Sequence, residues 1–256
     1  FMVRQACPEP AEGLTTNGFG ELEVQSRPME LLTRAAGPLL DLIFPRICAG
    51  CGREGGYLCD ECEAAIPRLE PPQCSLCSTP SRSPLCPWCR SANQPFDRIT
   101  APFRWTGVVQ EMVYALKYRN VRASAPRLAE LMSAHLMERS GTADMIAPVP
   151  LHPSRERERG YNQSELLAGE ISKSTGIPIE TGLLARTRNT PPQVSMSTPD
   201  ERRQNVIGAF ECVGDVTGKR VLLVDDVVTT GATVAECSAQ LRKAGAASIW
   251  VLSLGR

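Results

Sequence analysis

The rhythm of hydrophobic and polar positions changes three times along the chain. Phe1–Pro28 is polar, broken by glycine and proline, without a period, and reads as disordered. Met29–Phe44 fits one amphipathic helix, broken or kinked near Gly37-Pro38. Residues 47–92 carry paired cysteines in place of an apolar period. From Ser91 onward, strand-like and helix-like segments alternate. Phe96–Trp105 reads as a strand, and Gly107–Tyr118 as a helix with Val108, Met112, Ala115 and Leu116 on one face. Ala125–Arg139 is a second amphipathic helix, Ala143–Pro150 a buried strand and Ser164–Thr175 a further helix. Short strands are expected at Ile177–Leu183 and Ile207–Cys212. Val221–Val224 is four aliphatics in a row, the mark of a strand buried on both faces. A helix from about Val234 to Ala244 and a strand at Ser248–Leu254 close the pattern. This alternation predicts an α/β domain over 93–256 built on a parallel sheet flanked by helices.

The Val221 strand runs into chemistry. Asp225 and Asp226 follow it, then Val227, Val228, Thr229, Thr230, Gly231, Ala232 and Thr233 lead into the helix. A strand, a hydroxyl-rich turn and a helix start aim successive backbone N–H groups at one anion. Gly231 lets the backbone approach a phosphate, and two carboxylates suit a vicinal diol, because each accepts from a hydroxyl. Phosphate and diol a few residues apart describe a ribose 5-phosphate. A helix cap plus a turn would account for a lone D-D or T-T-G, but not as well for the unbroken run. No G-x-x-x-x-G-K-[ST] occurs, and the G-x-G-x-x-G at Gly50–Gly55 lies among cysteines with no strand before it.

Cations cluster at predictable places. Leu151–Asn162 follows a strand, where α/β sheets hold ligands, and as a loop offers Arg155, Arg159 and Gly160; Glu156 and Glu158 counterbalance Arg157. Guanidinium forks match phosphate oxygens, which makes this the expected pyrophosphate side. His152 can donate to a phosphate or be structural, and His135 is expected on the helix surface. Lys117, Arg119, Arg122 and Arg127 occur without an intervening acid, with Tyr118 among them. They are either a solvated face or a cationic rim for an anionic acceptor or single-stranded nucleic acid. Leu184–Val206 is long, polar and punctuated by proline, as lids are. It carries Arg186, Arg188, Gln193, Arg202 and Arg203, and Thr198 with Glu201 can cap a turn of helix at Pro199–Val206.

Of eleven cysteines, eight form C-x-x-C pairs: Cys48/Cys51, Cys59/Cys62, Cys74/Cys77 and Cys86/Cys89. Two such pairs complete a tetrahedral Zn²⁺ shell, so two structural zinc sites are expected. Serial and crossed pairing both fit the spacing. Redox chemistry suits one such pair near a βαβ unit, not four in tandem. Four sulfurs per ion leave no vacant position, which makes the sites supports for folding. Cys212 and Cys237 are expected as small buried residues, and Cys7 as a free thiol.

Net charge is zero and aromatic content is 5%, so global basicity does not point to nucleic acid. The apolar segment Leu31–Phe44 is too short for a membrane helix and is interrupted by Arg34 and Asp41. With no signal-like pattern at the amino terminus, a soluble cytoplasmic protein is expected.

The motifs together resemble the ComF family, a double zinc ribbon followed by a type I phosphoribosyltransferase domain. The resemblance rests on the cysteine pairs, Lys117-Tyr118-Arg119, the stretch Pro148–Ala168, Gln193, Arg202–Asn205 and Val221–Thr233. It implies that Asp225 and Asp226 hold the ribose hydroxyls of PRPP (5-phosphoribosyl 1-pyrophosphate) and that the turn cradles its 5-phosphate. Arg155–Gly160 with Mg²⁺ would hold the pyrophosphate, and the segment containing Gln193 would be the lid. The acceptor is a small molecule not named by the motifs. The family name also implies DNA uptake, with single-stranded DNA or competence proteins as partners.

Overall fold

The computed structural model describes residues 45–256 except 92, 140 and 192–197. The expected tail and helix of 1–44, Cys7 and Gln193 lie outside the described residues.

The strands are β1 (Arg98–Thr100), β2 (Met145–Pro148), β3 (Leu184–Arg186), β4 (Phe210–Cys212), β5 (Arg220–Val224) and β6 (Ser248–Leu252). Four of them make one parallel sheet in the order β1-β6-β5-β2, while β3 and β4 pair antiparallel. The helices are α1 (Asp60–Ala64), α2 (Pro87–Ser91), α3 (Gly107–Tyr118), α4 (Ala125–Glu138), α5 (Pro153–Arg159), α6 (Gln163–Thr175), α7 (Pro199–Val206) and α8 (Ala232–Lys243).

Alternation along the strands builds two cores, one on each face. Val221, Leu223, Ile249 and Val251 join Ile99, Ala147 and α8 residues on one face. Leu222, Val224, Leu252 and Ile146 join α3, α4 and α6 on the other. The parallel sheet flanked by helices is therefore as expected. Each half of the cysteine segment extends a different core: Leu58 and Ile66 the second, and all four sulfurs of Cys74–Cys89 the first.

Several expected elements are shorter or differ in kind. Phe96–Trp105 yields only three strand residues, because Pro102 has no N–H to continue the ladder. Ile177–Leu183 contributes a single bridge, Ile179 to Ile146; Pro178 and the left-handed Gly182 prevent more, and the strand begins at Leu184 instead. Leu184–Arg186 is thus sheet, not lid. The loop expected at Leu151–Asn162 is helical over α5. His152 caps it, accepting from Ser154 N, Pro153 opens it, and Gly160 ends it in the left-handed conformation. The capping box of Thr198 and Glu201 on α7 is as expected. On α3 the buried face is Val109, Met112, Val113 and Leu116, so Val108 and Ala115 sit at its edge.

His135 is not on the surface. It is 7% exposed, and Nε2 lies 2.6 Å from Thr100 Oγ1, tying α4 to β1. Burial, and then Arg139, Arg68 and Arg98, push its pKa down to about 4. The folded state therefore binds this proton less readily than the unfolded chain. The stability it contributes is complete above the ordinary histidine range and is lost as pH falls toward 4. Between pH 6.5 and 5.5 the wild-type chain should lose up to about 1 kcal/mol that His135→Gln does not lose, read as the difference in urea midpoints. Parallel slopes in the two proteins would contradict this.

Candidate active site and candidate metal centres

Three elements meet at the carboxyl end of β5. The strand delivers Asp225 and Asp226, which are 8% and 2% exposed. From the start of α6, Ser164 Oγ donates to Asp225 Oδ1 at 3.0 Å and Gln163 Nε2 to Asp226 Oδ1 at 3.4 Å. From the end of α3, Lys117 Nζ lies 2.5 Å from Asp226 Oδ2. Burial, and then the neighbouring Asp226 charge, raise Asp225 to about 8, with Lys117 and Ser164 working in the opposite direction. Burial disfavours the Lys117 ammonium, but Asp226 and Asp225 outweigh it and hold its pKa above the ordinary lysine value. The acidic pair and Lys117 act as one charge-compensated unit in which Asp225 retains a proton to neutral pH.

Beyond Asp226 the chain turns sharply at Gly231, φ +82°, into α8. Among the described residues no acceptor takes the N–H of Thr229, Thr230 or Gly231. Thr230 Oγ1 accepts from Ala232 N at 3.4 Å.

A cavity of about 530 Å³ opens over this floor. Asp225, Asp226, Val227, Thr229 and Thr233 line it together with Arg155, Arg159, Arg186 and Arg202. Lys117 and Tyr118 also line it, with Trp105, Tyr114 and Gln163. Arg155 and Arg186 converge on Thr190: Arg155 Nη2 donates to its carbonyl, and Arg186 Nη2 to its Oγ1 at 2.8 Å. Arg186 is 9% exposed, its Nε has no partner among the described residues, and its guanidinium stands 5.1 Å from the Phe210 ring centre. Burial first, and then Arg155, lower the Arg186 pKa; burial and Arg159 do the same for Arg155. Neither is ion-paired among the described residues, so the two form a cationic recess that an anion would relieve.

Other residues singled out in the sequence lie off the cavity wall. Val228 and Ala232 are buried beneath the turn, and Gly231 is covered by Trp88. His152 and Gly160 cap the two ends of α5. Arg203 pairs with Asp200 at 2.6 Å. The cationic rim is largely neutralised: Arg119 lies 3.5 Å from Glu111, and Arg127 binds Glu130 and Glu63. Arg122 covers the Tyr161 ring at 4.3 Å. Sequence reasoning missed Gln163, Ser164, Trp105 and Tyr114, and placed Arg186 in a lid. In the structure Leu184 and Arg186 are buried on one face of the three-residue strand, which is too short for an alternation in the sequence to mark Arg186 as inward-facing.

The eight paired cysteines form two clusters in series: Cys48, Cys51, Cys59 and Cys62, then Cys74, Cys77, Cys86 and Cys89. Tetrahedral zinc with Zn–S bonds of about 2.3 Å requires sulfurs about 3.8 Å apart. Cys48–Cys59, Cys51–Cys59 and Cys77–Cys86 stand at 3.7, 3.8 and 3.6 Å, which fits. The first cluster is partly exposed and the second wholly buried. Cys237 is buried on α8; Cys212 is only half-buried, its thiol 3.5 Å from Gly214 O.

Comparison with known proteins agrees with both halves. A double zinc ribbon domain matches residues 39–92 and a phosphoribosyl transferase domain residues 162–254. The chain is 33% identical over 206 residues to the DNA utilization protein YhgH of Salmonella typhimurium, covering 78% of this chain and 90% of that one. It is 31% identical over 209 residues to competence protein F of Haemophilus influenzae, with the same coverage. Among solved structures, a glutamine phosphoribosylpyrophosphate amidotransferase from B. subtilis matches at 28% identity and a TM-score of 0.36, over 51% of this chain and 26% of that one. No helix among the described residues is long and apolar enough to cross a membrane.

Because Asp225 binds its proton more tightly folded than unfolded, it lowers stability progressively as pH rises from the ordinary carboxylate range toward 8. Asp225→Asn keeps the acceptor for Ser164 and removes the charge. The stabilisation should be larger at pH 8 than at pH 5 by on the order of 3 kcal/mol, by denaturant midpoints. An equal change at both pH values would refute the assignment.

Proposed function

The chain belongs to the ComF family, and we propose that it binds PRPP with Mg²⁺ and displaces the pyrophosphate with a small acceptor. One observation carries this reading: one cavity is lined by a buried acid pair, by Thr229 of a turn whose amide has no acceptor among the described residues, and by Arg155 and Arg186, which have no ion-pair partner among the described residues.

The turn from Val227 to Thr233 would bind the 5-phosphate through its amide N–H groups and threonine hydroxyls, aided by the amino end of α8. Asp225 and Asp226 would take the ribose 2- and 3-hydroxyls, with Lys117 holding the local charge in balance. Arg155 and Arg186 would grip the pyrophosphate, with Arg159 and Arg202 at its flank. Displacement at the anomeric carbon passes through an oxocarbenium-like state, and the arginines stabilise the departing charge. Apart from the cysteine clusters, no group of three or more metal-donor side chains occurs among the described residues. The cavity therefore offers no protein cage for Mg²⁺, but its two carboxylates suit an ion that arrives on a polyphosphate and keeps its waters. Bound there, Mg²⁺ would neutralise pyrophosphate oxygens. Trp105 and Tyr114 would exclude water.

Calorimetric titration tests this. Asp225→Asn with Asp226→Asn should abolish Mg-PRPP binding while two zinc ions per chain remain. Arg186→Gln should weaken PRPP at least about tenfold yet barely affect ribose 5-phosphate, which lacks the pyrophosphate. A wild-type chain that takes up no Mg-PRPP would rule the proposal out.

A second reading has its own support. Tyr114 and Tyr118, 47% and 57% exposed, lie 4.9 Å apart at the cavity mouth. Arg119 stands over Tyr114 at 5.1 Å and Arg159 over Tyr118 at 5.5 Å. A tilted pair of exposed tyrosine rings with guanidinium groups over them suits single-stranded nucleic acid, and the relatives are named for DNA utilization and competence. Salt-dependent oligonucleotide binding that survives the double aspartate change but falls about tenfold in Tyr114→Ala with Tyr118→Ala would establish it. Absence of binding at low salt would remove it.

A further inference from the structure

The second cysteine cluster and the turn at the end of β5 pack as one piece. All four sulfurs are buried, in the same core as Val228, Ala232 and Ile99. The cluster also docks on edge strand β1: Ile99 N donates to Leu76 O, and Ser78 Oγ to Ile99 O, both at 2.8 Å. Trp88, between Cys86 and Cys89, sits directly against Gly231, where a Cβ would fall 2.5 Å from the indole. Arg256 spans the remaining gap. Its Nη2 donates to Thr79 Oγ1 at 2.7 Å, and its Nη1 to the carbonyls of Val228 and Thr229 at 3.4 and 3.3 Å. The guanidinium carbon is 5.8 Å from the Trp88 ring centre, and Thr79 Oγ1 lies 3.2 Å from Cys77 Sγ.

The direction of these bonds matters. In a planar trans peptide, C=O and N–H point opposite ways. Drawing the Val228 and Thr229 carbonyls toward Arg256 turns the N–H groups of Thr229 and Thr230 away from the cysteine cluster. Those amides have no acceptor among the described residues. The first cluster packs elsewhere: Gly50 lies against Val108 on α3, and Glu63 binds Arg127 on α4.

We propose that the second cysteine cluster is a positioning element for the phosphate turn. Zinc held by Cys74, Cys77, Cys86 and Cys89 fixes Trp88 and Thr79; through Gly231 and Arg256 these set where the amide donors of Thr229 and Thr230 point. Phosphosugar binding then depends on zinc in this cluster and not on the first, an inference that rests on the turn being the 5-phosphate cradle. Neither Trp88 nor Arg256 touches the ligand.

The test uses the zinc-loaded full chain and three readouts: zinc per chain, ligand-free hydrogen exchange over Val227–Thr233, and affinity for ribose 5-phosphate. Arg256→Met and Trp88→Ala should keep two zinc ions, speed exchange in the turn several-fold and weaken ribose 5-phosphate at least about tenfold. Arg256→Lys and Trp88→Phe should restore part of both effects. Glu63→Gln, which unties the first cluster from α4, should change neither. Arg256→Met removes little core volume, so the test survives even if Trp88→Ala does not fold. Unchanged exchange and affinity in Arg256→Met, or an equal response in Glu63→Gln, would overturn the inference. If wild-type chain binds no phosphosugar while turn exchange still answers to Arg256→Met, the coupling stands and the phosphoribosyl reading falls.

Discussion

Two adjacent carboxylates buried at the end of a central strand are the constraint around which the domain is arranged. Burying one ionised carboxylate unpaired is costly enough that the group normally neutralises instead, and here two lie side by side. Each surrounding element relieves part of that cost. Helix α3 delivers Lys117 to Asp226, and α6 begins with the donors Gln163 and Ser164. The proton kept by Asp225 supplies the rest. Removing Lys117 would leave the pair without its cation, which is why the lysine is better understood as part of the floor than as part of a basic surface. Its neighbours on the same stretch, Arg119 and Arg127, pair outward with Glu111, Glu130 and Glu63 and belong to the surface.

The sheet above this floor is small, four parallel strands of three to five residues, and its faces need cover that helices alone do not give. Helices α3, α4 and α6 close one side. On the other, α8 covers only part, and the β3–β4 pair and the buried cysteine cluster complete the layer. A segment too short to hold an apolar core of its own can do this only when a metal organises it. The cysteine region is therefore an integral layer of the α/β domain, and its second half walls the turn from behind.

Much of this was legible in the sequence where local rules decide. Four aliphatics followed by two aspartates and a threonine-glycine turn specify strand, turn and helix within thirteen residues, and the Thr198–Glu201 capping box is equally local. Features that depend on the third dimension were not legible. Serial against crossed cysteine pairing is decided by where each half docks. His135 reads as a polar helix residue until Thr100 is brought against it. Helix α5 is too charged to show an apolar period, and only its caps, His152, Pro153 and Gly160, betray it. Arg186 sits in a three-residue strand amid proline and arginine, too short for alternation to stand out.

The two sides of the cavity differ in how their charge is settled, and that difference bears on what the site is built to hold. On the acidic side each group has a partner within the chain, so binding a diol there exchanges one hydrogen-bond arrangement for another and adds little net attraction. Among the described residues Arg155 and Arg186 hydrogen-bond to the uncharged Thr190 and repel one another, Asp225 offsets that repulsion only in part, and Arg186 Nε has no acceptor in a buried setting. An anion of two or more charges would gain from both guanidinium groups at once and relieve their repulsion, whereas a neutral group would gain from neither. The attraction for an anion is therefore concentrated on Arg155 and Arg186. Such an asymmetry suits a ligand recognised by its leaving group more than by its sugar, and it favours a transition state in which negative charge gathers on that leaving group.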